Sequence, residues 1–86
     1  MIYKILFTER SRKQFSKLNA TIKKRIVNYL ESRVLQNPTA FGKSLVADKK
    51  GLWRYRVGDY RIICNINNTK LIILVLEVGH RKEVYD

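Results

Sequence analysis

One stretch constrains the fold more than any other: WRYRVGDYRIICNI, from Trp53 to Ile66. Trp53, Tyr55 and Val57 alternate with Arg54 and Arg56, the two-residue period of a strand with one buried face. Gly58-Asp59 then forms a two-residue hairpin turn of the primed type, with glycine where the backbone needs positive φ. Tyr60 to Ile66 returns as the partner strand. Such a turn fixes the register. Val57 faces Tyr60, Arg56 faces Arg61, Tyr55 faces Ile62 and Arg54 faces Ile63. Arg54, Arg56 and Arg61 therefore share one face of the sheet. Trp53, Tyr55, Val57, Tyr60, Ile62 and Cys64 share the other, which is the core side.

The remaining elements assemble around this hairpin. Ile2 to Phe7 is β-rich and reads as a short strand. Thr8 is an N-cap for a helix from Glu9 to Leu18, with Ser11, Phe15 and Leu18 on one side. Asn19-Ala20 is a tight link, and Thr21 caps a second helix from Ile22 to about Gln36, stopped by Asn37-Pro38. The two helices make an αα-hairpin. Pro38 to Gly51 is loop-rich. A turn at Asn67-Asn68 or Asn68-Thr69 leads into the last strand, Leu71 to Val78. Ile73 and Val75 fall on the core side; Ile72, Leu74 and Leu76 fall on the arginine side, as in a central strand. The expected fold is a single α+β domain over residues 1–86, ordered β-α-α-β-β-β, with a twisted antiparallel sheet covered on one face by the helices.

Charge narrows the function. The net charge is +11, from 18 Lys and Arg against 7 Asp and Glu. For one small domain that imbalance implies a polyanionic partner, most often nucleic acid, or an acidic protein, with nucleic acid ahead of a membrane surface. The single cysteine excludes an internal disulfide and a cysteine-based zinc site. No carboxylate cluster suggests a metal, and no cofactor motif is present. No signal peptide or spanning segment is evident, so a cytoplasmic location is expected.

Two features point to phosphate chemistry. Arg56 directly opposite Arg61 is unfavourable in a purely structural sheet, because like charges opposed across strands repel. A face that holds a phosphate needs such a pair, since the guanidinium fork suits bidentate contact. Second, the last strand runs into GHRKEVY, Gly79 to Tyr85, which contains the chain's one histidine. Histidine is the side chain suited to proton transfer near neutral pH. Strict alternation aims His80 at the arginine face, and Gly79 leaves the aim of Arg81 open. The bland alternatives are a solvated arginine face and a docked C-terminal tail.

WRYRVGDYRIICNI and LIILVLEVGHRKEVY together closely resemble RelE-type toxins of bacterial and archaeal toxin–antitoxin pairs, in the RelE/ParE superfamily. The resemblance covers the whole chain. It implies a fold similar to microbial ribonucleases and a metal-independent, ribosome-dependent endoribonuclease that cuts message in the decoding site. It also implies a small acidic RelB-like antitoxin that wraps the toxin in a hetero-oligomer. The family's basic strand residues fall on Arg54 and Arg56, its strand arginine on Arg61, its post-strand arginine on Arg81 and its C-terminal tyrosine on Tyr85. The best-studied branch has lysines where Leu52 and Arg54 stand, and another where His80 stands. Arginine is a poor general base, so His80 becomes the candidate base or acid. The alternatives are a gyrase-inhibiting toxin of the ParE branch, acting by protein contact, and a non-catalytic basic RNA-binding domain.

Overall fold

A computed structural model describes residues 3–45 and 51–80. Its sheet has five strands: β1 (Lys4–Phe7), β2 (Lys43–Ser44), β3 (Leu52–Val57), β4 (Tyr60–Asn67) and β5 (Ile72–His80). They lie in the order β1-β5-β4-β3-β2. The hairpin register is the one the turn dictates, with Val57 opposite Tyr60, Arg56 opposite Arg61, Tyr55 opposite Ile62 and Arg54 opposite Ile63. Gly58 adopts φ 60°, where glycine carries no steric penalty.

Two helices follow β1: α1 (Glu9–Ser16) and α2 (Ala20–Tyr29). Thr8 caps α1 by accepting from the Ser11 N–H. Asn19, not Thr21, caps α2, its Oδ1 accepting from the Ile22 N–H at 2.9 Å. The second helix widens into a π-turn at Leu30–Val34, where the Leu35 N–H bonds the Leu30 carbonyl at 2.8 Å. Ile26, Leu30 and Val34 pack on Tyr55, Ile62, Cys64, Ile73 and Val75, all within one core between the helices and one sheet face. Burial of that apolar surface is the main stabilising term.

Four details of the sheet differ from the sequence reading. The sheet is not wholly antiparallel: β1 lies parallel to β5, with Lys4 opposite Ile72 and Phe7 opposite Val75. The middle segment contributes β2, which pairs Lys43 with Arg54. Neither two-residue turn joins β4 to β5. Asn67 pairs with Ile72 instead, and its side chain accepts from the Thr69 and Lys70 N–H groups. Finally, β5 is bulged. Ile63 pairs with Glu77 and Cys64 with Val75, so Leu76 is the extra residue. A bulge of this kind shifts alternation by one residue. Val78 thereby joins the core, 2% exposed, and Glu77 stays out of it.

Where β1 ends, α1 takes over the edge of β5. The Thr8 N–H and the Ser11 hydroxyl both donate to the Val75 carbonyl, at 3.1 and 2.7 Å. The Gln14 side chain accepts from the Val78 N–H at 2.9 Å. These contacts satisfy backbone groups that a missing neighbour strand would leave open. Among the described residues no helix is long and apolar enough to cross a membrane.

Candidate nucleic-acid interface

The sheet face opposite the helices carries the arginines in rows across the strands. One row runs Arg56, Arg61, Gly79 and the next runs Lys43, Arg54, Ile63, Glu77. Arg54 and Arg61 are half-buried, and Arg56 is exposed. Gly79, itself buried, lies beside Arg61 on β5 and adds no side chain to this row. Among the described strand residues of this face Glu77 is the carboxylate, and it pairs at 2.6 Å with Arg10 of α1.

Lys43 is the site residue that sequence reading missed. Its signal was weak, a basic residue in a loop-like segment. Pairing through β2 sets it across from Arg54, and a cleft of about 280 Å³ opens between Lys43, Arg54, Arg56 and Tyr29. Gly42 makes the approach possible. It has φ 68°, and a Cβ there would lie 2.2 Å from the Arg54 carbonyl oxygen.

His80 is a correction. The bulge at Leu76 reverses the parity of the strand end, so His80 pairs with Tyr60 on the helix side of the sheet. Its ring meets the Tyr60 ring edge-on, with centroids 5.5 Å apart. Strict alternation had aimed it at the arginines. The signal that could have found the bulge is Glu77, a carboxylate that an unbroken alternation would have buried beside Val75. Arg54, Arg56 and Arg61 are thus brought together, His80 is turned away, and Arg81 and Tyr85 lie outside the described residues.

The remaining reactive group is structural. Cys64 is fully buried, and burial pushes its thiol up to about 12. Among the described residues no group of three or more His, Cys, Asp or Glu side chains is placed to hold a metal.

Residues 5–85 match the family described as the ParE toxin of type II toxin–antitoxin systems, parDE. The chain belongs to that toxin family. Toxin RelG of Mycobacterium tuberculosis is 28% identical over 85 residues, spanning 99% of this chain and 98% of the relative. The solved RelBE2 toxin–antitoxin complex of the same organism superposes with a TM-score of 0.84 at 27% identity, covering 94% of this toxin and 100% of that chain. The intact Escherichia coli RelBE complex superposes with a TM-score of 0.77 at 23% identity, over 91% and 95% of the two chains. At that identity the likeness concerns the fold of the toxin. The α+β architecture is therefore one that these toxin structures share.

Proposed function

We propose that this toxin is a ribosome-dependent endoribonuclease that cuts message by in-line attack of a ribose 2′-OH on the adjacent phosphorus. The 2′-O–P bond forms and the P–O5′ bond breaks. One proton leaves the 2′-OH for a base, and another reaches the departing 5′ oxygen, giving a cyclic phosphate and a 5′-OH. The observation that supports this most is Arg56 opposed to Arg61, with glycine beside them. Two guanidinium groups on one rigid hairpin suit the negative charge that grows on the phosphorane. Arg54 and Lys43 would hold the flanking backbone. Arg81 would neutralise the phosphate and assist the leaving group, and Tyr85 would stack on a base. His80, the last residue of β5, reaches the arginine face only by leaving Tyr60, so the phosphate work rests on the arginines.

An acidic RelB-like antitoxin is the proposed partner, since both neighbouring structures described above are toxin–antitoxin complexes. It would neutralise part of the +11 charge.

The test adds purified toxin to programmed ribosomes and maps message ends by primer extension. Wild type should produce discrete ends, and Arg61→Ala should lose them. Intact message combined with inhibited DNA supercoiling would instead assign the toxin to gyrase. Salt-sensitive RNA binding with neither effect would leave a non-catalytic RNA-binding domain.

A further inference from the structure

A second basic cleft lies at the β3 edge, on the helix side of the hairpin. Arg25, Arg33 and Arg56 line it with Asn28 and Ser32, enclosing about 350 Å³. Arg33 is held in place by aromatic rings, its guanidinium carbon 5.5 Å from the Tyr29 centroid and 5.9 Å from that of Phe41. Arg25 sits over the hairpin turn: a Cβ at Gly58 would lie 3.2 Å from one of its guanidinium nitrogens. No carboxylate is among the lining residues. The two ion pairs found among the described residues involve Arg10 and Lys13, on the other helix.

From this geometry we infer that the Arg25–Arg33–Arg56 cleft is a second phosphate-backbone site, which grips an RNA strand as it leaves the arginine face. The inference rests on the RNA reading above. Arg56 lines both this cleft and the one containing Lys43 and Arg54, so a single polyanionic strand can engage the two in succession. Stacking on Tyr29 and Phe41 orders the Arg33 fork before binding, which lowers the entropy lost on contact. An acidic protein segment fits less well. A protein interface takes its energy from apolar or aromatic anchors in pockets, and here the aromatic surfaces are already covered by Arg33. What remains is guanidinium, amide and hydroxyl, the donor set of a backbone-tracking groove.

The experiment titrates full-length toxin with a fluorescent 2′-O-methyl oligoribonucleotide, which cannot be cleaved, at a series of salt concentrations. Arg25→Gln and Arg33→Gln should each weaken binding several-fold and reduce the slope of log K against log salt by about 0.7, the single-strand increment per phosphate contact. Arg33→Lys, which keeps the charge and loses the plane, should keep the slope and lose affinity. Lys70→Gln, in the turn at the other end of the sheet, should retain the wild-type slope. Both arginines are exposed, so thermal unfolding should stay cooperative, unchanged for Arg25→Gln and lowered in Arg33→Gln only by the lost cation–π contacts. Wild-type slopes for both Gln variants overturn the inference. So does loss of binding to a poly-glutamate peptide with RNA slopes unchanged, which assigns the cleft to an acidic protein. Message cleavage by wild type on programmed ribosomes is read in parallel. Cleavage with unchanged slopes removes this inference alone, and altered slopes without cleavage remove the endoribonuclease reading alone.

Discussion

Arg61 and His80 occupy adjacent rungs of the β4–β5 ladder but opposite faces of the sheet. Arg61 lies opposite Arg56 on the open sheet face, and His80 lies against Tyr60 on the helix side. If the arginines stabilise the phosphorane, Arg61→Gln should lower the single-turnover cleavage rate by about 10²–10³, the usual cost of one transition-state donor. His80→Gln should cost less than about tenfold, below the range typical of a positioned general base. Single-turnover cleavage on saturating ribosomes decides between them. A larger loss at His80 than at Arg61 would show that the ring turns to the arginine face during the reaction. The arginine side of this comparison was legible in sequence, because a two-residue turn leaves no freedom of register and alternation does the rest. The histidine side was not. A bulge interrupts alternation, and its one trace in the sequence is Glu77, a carboxylate that unbroken alternation would have buried.

At the scale of elements, the bulged half of β5 pairs with β4 along one edge and is held by α1, in place of a second strand, along the other. Ser11 is the centre of that clasp: fully buried, it donates to the Val75 carbonyl at 2.7 Å and takes a 3.0 Å hydrogen bond from the Thr8 hydroxyl. Ser11→Ala removes one of the two donors to Val75 and should cost about 1–2 kcal/mol. For a domain of this size that lowers the melting temperature by about 4–8 °C per kcal/mol. Thr8→Ala removes the cap and should cost about 1 kcal/mol. The double variant should lose less than the sum, because the two hydroxyls share one network. Additive losses in urea unfolding would show that cap and clasp act separately. The sequence pattern identified Thr8 as a cap and put Ser11 on the inner side of α1. It could not foresee the clasp, because β1 was expected to join an antiparallel sheet. Its parallel pairing with β5 stops at Phe7 and leaves the rest of that edge to the helix. The two-residue β2 escaped for a similar reason, since so short a strand has no periodicity and exists only through its pairing with β3.

Over the whole molecule, a charge of +11 sets stability against function. Like charges spread over a small surface destabilise the compact state, and the same field draws in a polyanion. Raising the pH removes lysine charge and relieves that repulsion, so the core's own response to alkali must be isolated by difference. Cys64 allows this. Its thiol, ordinarily ionising at 9.0, is pushed up to about 12 by burial, and burial likewise raises the phenol of Tyr55, which donates to the Pro38 carbonyl at 2.7 Å. The folded state holds the Cys64 proton after the unfolded chain has released it. The contribution is therefore fully present below pH 9 and is lost as pH rises toward 12. Within that window the thiol alone removes about 1.4 kcal/mol per pH unit. Cys64→Ala lacks this penalty. The variant should be less stable than wild type near neutrality, through lost packing, and its deficit should shrink steadily above pH 9. Urea midpoints of both proteins at matched ionic strength, from neutral to strongly alkaline pH, measure the difference directly. Lysine discharge is common to the two and cancels. A deficit that stays constant across the window would mean that the Cys64 thiolate is tolerated inside the fold, and that the core is more open to water than its burial implies.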